Sequence, residues 1–204
     1  MKTSKRSASS FLKCAAILMA CVMIFACGGG GGGGGGGGSA PASTTFTSNY
    51  ATVTPQSVAG RSFTGTNGTT VTFNSSGNGG TIGSITFTYD GDVVTLPSNG
   101  AKLYLRSTSG KYYLFPGQLR NSSGSGEFGK WVWTTGVTPT DFYDYYKLIS
   151  PNIFQNPRLE ANNDTTTTYS ISGGILNLYI NGVLHTSEYA LYDGTYLYPI
   201  VLSF

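Results

Sequence analysis

Beyond residue 27 the chain holds no cysteine and no methionine; the three cysteines are Cys14, Cys21 and Cys27, and the three methionines are Met1, Met19 and Met23. A disulfide framework and a thiolate metal centre are thereby excluded from everything after residue 27. Histidine occurs once, as His185, which excludes the His clusters of catalytic zinc sites. Charged residues make up only 10% of the chain, and four of its 12 basic residues (Lys2, Lys5, Arg6 and Lys13) precede residue 27. The remainder of the chain carries 8 basic against 9 acidic side chains, a net charge of −1. No basic footprint for nucleic acid remains. Nor is there a Gly-x-Ser-x-Gly nucleophile elbow.

The first segment to account for is residues 1–38. Residues 1–13 are basic, residues 14–26 are uncharged and apolar, and eleven glycines occupy 28–38. A basic start, a short apolar run and a small residue at its end have the pattern of a secretory signal. The apolar run is too short for a comfortable membrane-spanning helix, which needs ~20 residues. Ile24-Phe25-Ala26-Cys27 resembles the lipobox of bacterial lipoproteins, with Ile24, Ala26 and Cys27 in place and Phe25 bulkier than usual. Leu18-Met19-Ala20-Cys21 is a second match, but it would leave Val22–Phe25 as an exposed apolar stub. The resemblance implies cleavage before Cys27, a diacylglycerol thioether on its sulfur and acylation of the new terminus. The implied location is the cell envelope, with the chain attached to a membrane, the outer one by the usual sorting pattern, through lipid on Cys27. Several acyl chains on one residue would hold a folded domain on a bilayer without a spanning helix, since each buried methylene contributes about 0.8 kcal/mol.

Gly28–Gly38 and the Ser/Thr/Ala/Pro-rich stretch 39–57 read as a flexible tether. Its expected span is ~18 Å for the glycines and ~30 Å in all. Phe46 and Tyr50 are the residues of this stretch able to dock on a folded domain. The organisation expected is therefore a signal over 1–26, lipidated Cys27 and tether over 27–57, and a β domain over 58–204.

That domain is rich in Tyr, Thr, Ser, Asn and Gly, a vocabulary of strands and tight turns. Ile85, Phe87 and Tyr89 alternate with Thr86 and Thr88, and Val71 and Phe73 alternate likewise, the period-two signature of strands. Strands are expected near 61–65, 69–74, 81–89, 92–96, 101–107, 111–116, 130–134, 166–171, 175–180, 183–191 and 195–203. Asp90-Gly91, Ser109-Gly110, Gly173-Gly174, Asn181-Gly182 and Asp193-Gly194 supply hairpin turns. Residues 117–129 read as a loop. Thr138-Pro139 has the form of a helix start, with one short helix near 139–149. The segment from Phe87 to Pro116 is echoed weakly by Thr168 to Pro199, either through a shared origin of two meanders or through the same hairpin grammar used twice; the second is favoured. The fold class expected is all-β: a single antiparallel barrel or sandwich of about 8–11 short strands. Gly60-Arg61-Ser62-Phe63-Thr64-Gly65, Val71-Thr72-Phe73-Asn74 and Phe87-Thr88-Tyr89 together resemble the opening of small bacterial lipocalin-like domains, although Phe63 stands where lipocalins carry Trp.

Candidate chemistry is thin. His185 sits in an expected strand with no triad partner nearby. Asp90-Gly91-Asp92 and Glu160–Asp164 offer oxygen ligands but not the spacing of a calcium loop, and turn-forming side chains account for both. Trp131 and Trp133 share one strand face, with Tyr143, Tyr145 and Tyr146 close behind. These five are the candidate contact residues for a glycan or an amphipathic ligand, against the alternative of a core face with a tyrosine rim. The sequence supports no catalytic residue, metal or cofactor. The expected function is a non-enzymatic lipoprotein holding a small apolar or amphipathic ligand, or a structural or adhesive one contacting protein or glycan.

Overall fold

The computed structural model describes residues 46–124, 126–136 and 143–204. The signal, Cys27 and the tether up to residue 45 lie outside the described residues. So do residues 137–142.

The chain folds as two β-sheets in tandem. The strands of the first half are β1 (Ala51–Thr52), β2 (Ser62–Thr64), β3 (Thr70–Phe73), β4 (Gly79–Ile82), β5 (Ile85–Tyr89), β6 (Val93–Leu96), β7 (Ala101–Thr108) and β8 (Lys111–Phe115). Those of the second are β9 (Gly117–Asn121), β10 (Gly129–Gly136), β11 (Tyr145–Ile149), β12 (Ile153–Gln155), β13 (Thr167–Ser172), β14 (Ile175–Ile180), β15 (Val183–Tyr192) and β16 (Tyr196–Pro199), with β17 (Leu202–Ser203) after them. Strands β9 to β16 close into an antiparallel barrel, while β2 to β8 form a meander that β17 completes at one edge. This meander curls into a half barrel: the Thr66 N–H donates to the Ser203 carbonyl at 2.9 Å, and Phe63 meets Tyr112 and Phe204 at 4.9 and 5.4 Å between ring centroids.

The all-β class holds, but two expectations need correction. Among the described residues there are 17 strands: eight close the expected antiparallel barrel, and the other nine form a second sheet rather than joining a single one. The helix near 139–149 is also corrected: Tyr145–Ile149 is a strand paired with β10 and β12, and 139–142 lie outside the described residues. Tyr146 and Leu148 face inward and Tyr145 and Lys147 outward, so tyrosine on both faces conceals the alternation. Strand β9 stands where the sequence suggests a loop. Its Gln118 and Asn121 are buried polar residues beside Leu119, which leaves no apolar alternation to read.

Turn chemistry places the hairpins. Ser109-Gly110, Gly173-Gly174 and Asn181-Gly182 all have positive φ at both positions, the two-residue turn whose twist matches the flanking strands. Gly80 answers a different demand: a Cβ there would lie 1.9 Å from the Thr72 carbonyl oxygen across the β3–β4 pair.

The echoed segments occupy equivalent places. In each half the last four strands form a meander that ends at a proline, Pro116 or Pro199, after which the chain crosses to the other sheet. Both crossings meet at a junction of aromatic side chains. Phe115 and Tyr198 are fully buried there, 5.4 Å apart, with Tyr113 and Leu191 beside them. Residues 46–53 strap this junction. Phe46 stacks on Tyr104 at 4.0 Å beneath the Arg106 guanidinium, and the Thr47 N–H donates to Gln118 Oε1 at 2.9 Å. The Tyr198 hydroxyl is shared between the Thr47 carbonyl at 2.9 Å and Asp193 Oδ2 at 2.6 Å. Packing thus already includes Phe46, the first of the described residues.

Burial pushes the phenols of Tyr89, Tyr146, Tyr169 and Tyr198 above the usual tyrosine value. A phenol raised on folding contributes stability that is complete below its unfolded value and fades as pH rises past it. The protein is therefore expected to lose stability steeply above about pH 10, with phenolate absorbance appearing together with unfolding. Ionisation of all tyrosines near that pH with the fold intact would contradict this packing.

Candidate functional site

The candidate aromatic residues do not form one surface. Trp131 and Tyr146 are direct cross-strand partners on the inner face of β10 and β11, 0% and 1% exposed. The Trp131 indole N–H donates to the Glu127 carbonyl at 2.9 Å, and Tyr146 packs against Phe154 at 5.5 Å. Trp133 shares that face, half-buried against the barrel core, and its indole N–H donates to the carbonyl of Tyr143, which packs against the same core, at 3.0 Å. Only Tyr145 points outward. Its hydroxyl donates to Glu160 Oε2 at 2.7 Å, and the Lys130 ammonium lies 4.1 Å from its ring centroid. Lys147 pairs with the same carboxylate and, with Tyr145, holds Glu160 below its ordinary carboxylate range. Of the five candidates, Trp131, Trp133, Tyr143 and Tyr146 thus pack in or against the barrel core, and Tyr145 lies on a charged rim.

The barrel interior is occupied by its own side chains: Trp131, Leu148, Phe154, Tyr169, Leu176 and Leu197 are all buried within it. Of the carboxylates considered as cation ligands, Asp92 pairs with Arg106 at 2.6 Å and Glu160 with Lys147, while Asp90 and Asp164 are engaged in turns. Asp90 Oδ1 accepts from the N–H groups of Asp92 and Val93, and Asp164 Oδ1 accepts from the Thr166 N–H and hydroxyl. Between the β7–β8 and β13–β14 turns lies an open cleft of about 170 Å³, walled by Tyr50, Tyr113 and Leu191 with Lys111 at its edge. Lys111 is already paired with Glu188 at 2.5 Å.

A different surface emerges on the outside of the barrel. Ile149, Ile153, Thr168, Tyr179 and Leu184 are successive cross-strand partners over β11 to β15. Their chain neighbours Leu148, Phe154, Tyr169 and Leu178 are buried inside, so this row faces outward. It ends at the tip of the β14–β15 hairpin, where Ile180, Val183 and Leu184 are 40%, 70% and 51% exposed. His185 is exposed beside them. Strand β15 pairs with β14 through Val183, Leu184, Thr186, Ala190 and Leu191, with register shifts on either side of Thr186, and with β16 only through Ala190–Tyr192. Among the described residues, then, no strand covers the other edge of Val183–Ser187. The sequence carries one sign of this: Val183 and Leu184 are adjacent in a strand, so one of them must point away from the core.

No family model matches the chain, and no match is found among curated proteins or solved structures.

Proposed function

We propose that this chain is a non-enzymatic cell-envelope lipoprotein, held to a membrane by lipid on Cys27, whose barrel works as a contact module. The observation that carries the contact role is the contrast between the two sides of the barrel wall. Side chains occupy the interior, while the β14–β15 hairpin leaves Ile180, Val183 and Leu184 in solvent. Contiguous exposed apolar groups mark interaction surfaces, and a strand edge that no described strand covers adds backbone donors and acceptors to them. The layout suits an anchored protein. Tyr50 and Ile175 line one cleft, and β14 leads away from it for ~17 Å at ~3.3 Å per residue. The chain arriving from the anchor enters at one end of the hairpin, and the apolar tip lies at the other.

The anchor and the contact role are tested separately. Cys27→Ala is expected to release the protein from membranes or leave its signal uncleaved. Continued membrane fractionation with palmitate uptake would move the lipid to Cys21. A photo-cross-linking residue at Val183 is expected to yield an adduct of defined mass in intact cells, and one at exposed Lys102 is not. Equal labelling at both positions would refute the contact surface. The reading as a carrier of a small apolar or amphipathic ligand requires such a molecule to travel with the purified protein.

A further inference from the structure

We infer that the cleft between the β7–β8 and β13–β14 turns binds one neutral sugar ring of a glycan, with the phenol hydroxyls of Tyr50 and Tyr113 as its hydrogen-bonding groups. The site lies at the other end of β14 from the exposed tip and does not depend on the contact role there.

The observation that carries it is Tyr113. Among the described residues five tyrosines are buried: Tyr89, Tyr113, Tyr146, Tyr169 and Tyr198. A buried phenol hydroxyl usually finds a hydrogen-bond partner, and four of the five have one. Tyr89 reaches the Val53 carbonyl, Tyr146 bonds to Tyr189, Tyr169 reaches Glu127, and Tyr198 is shared between Thr47 and Asp193. Tyr113 is 2% exposed, and its hydroxyl has no partner among the described residues. The polar side-chain atoms sealed from solvent without a partner are Thr135 Oγ1 and Asn177 Oδ1. The Tyr113 hydroxyl is not one of them, and Tyr113 lines the cleft.

Tyr50 lines the same cleft, and its hydroxyl likewise has no partner among the described residues. Burial, the Asp193 carboxylate and the neighbouring Tyr113 phenol push the Tyr50 phenol above the usual tyrosine range. Burial and Glu188 push Tyr113 the same way, against the pull of Lys111. Both groups therefore remain protonated donors at neutral pH. Both rings are also held in place: Tyr113 stacks parallel to Phe115 at 6.0 Å, and Tyr50 meets Tyr198 edge-on at 5.2 Å. Groups fixed in advance lose little freedom on binding.

The rest of the lining selects the ligand. Ile175 and Leu191 add apolar surface, and Thr108 and Ser109 add hydroxyls. A ligand that offers hydroxyls and a C–H face together fits this mixture, and a pyranose ring does. Lys111 is paired with Glu188, and the Asp193 and Glu188 carboxylates lie close enough to raise the two phenols. An anion is thereby disfavoured. At about 170 Å³ the cleft is smaller than the ~300–1,000 Å³ of sites for drug-sized molecules. It admits one ring and leaves the rest of a glycan in solvent. So small and open a site holds its ligand weakly, and no sugar is expected to survive purification.

Saturation-transfer NMR tests this on the full chain, in a detergent without a sugar head group, with glucose, galactose and N-acetylglucosamine as probes. The ring protons of at least one sugar are expected to receive saturation. Tyr113→Phe and Tyr50→Phe are each expected to weaken binding roughly three- to tenfold, the loss of one hydrogen bond. Thr108→Trp, which fills the cleft, is expected to abolish it. Tyr112→Phe, whose ring packs with Phe63 and Phe204 in the half barrel, is expected to leave it unchanged. Tyr113→Phe is also expected to keep the parent melting temperature, since the hydroxyl it removes has no partner in the fold, whereas Tyr198→Phe lowers it. Absence of saturation on all three sugars overturns the site. So does binding that is unchanged in Thr108→Trp or in both phenylalanine variants of the cleft. A lower melting temperature for Tyr113→Phe would show that its hydroxyl is already bonded within the fold, and overturns the proposal as well. The Val183 photo-adduct is read separately, so the contact role stands or falls on its own result.

Discussion

Trp131→Ala is expected to lower the unfolding free energy by roughly 3–5 kcal/mol, the range for deleting a fully buried large aromatic side chain. The indole has no exposure, meets the edge of Tyr192 at 5.7 Å and donates its N–H to the Glu127 carbonyl. Alanine removes the ring contacts, leaves that carbonyl without its donor and opens a cavity in the closed barrel. With a midpoint shift of about 2–4 °C per kcal/mol for a fold of this size, thermal unfolding should fall by roughly 10 °C. A fall of less than about 1 kcal/mol, the size of an ordinary surface substitution or little more, would mean that Trp131 is not part of a packed interior. The surface reading of the tryptophan pair would then return.

Deleting residues 46–57 is expected to be at least as damaging. Phe46, Tyr50 and Val53 pack against buried side chains of the junction and the half barrel. Each such side chain contributes about 1.5–3 kcal/mol, so their joint removal costs on the order of 5 kcal/mol. The deletion also removes acceptors from buried phenols: the Tyr89 hydroxyl donates to the Val53 carbonyl, and that of Tyr198 reaches the Thr47 carbonyl. A cost of that size is a large part of the roughly 5–15 kcal/mol that holds a typical domain together. Urea unfolding of the chain with and without the strap measures it. An unchanged midpoint would make 46–57 a simple extension of the tether.

How far these features are legible in the sequence depends on the kind of signal each leaves. Turns are the most legible, because Asn181-Gly182 and Gly173-Gly174 leave few other conformations open. Strands with one apolar face, such as Ile85–Tyr89, are equally plain, although Gly83 and its turn separate that strand from β4. Strand β11 carries tyrosine on both faces and comes after a Thr-Pro pair, so helix-start chemistry outweighs a blurred alternation. Strand β12, three residues long, has too little length for any period to show. The division into two sheets leaves almost no local mark beyond the prolines at 116 and 199. Of the candidate site, Trp131 and Tyr146 illustrate the harder problem. Aromatic residues on a strand are the same in sequence whether their face points into a core or into solvent, and only closure of the barrel decides. The exposed tip at Val183 and Leu184 is visible only as a break in alternation.

The packing of Trp131, Phe154, Tyr169 and their neighbours inside the barrel is tested most directly by native mass spectrometry. Residues 39–204, secreted behind a cleavable signal and purified without detergent, are expected to fly at the mass of the bare chain or a whole multiple of it. A reproducible additional mass that disappears under denaturing conditions would contradict a barrel filled by its own side chains and establish a carrier in its place.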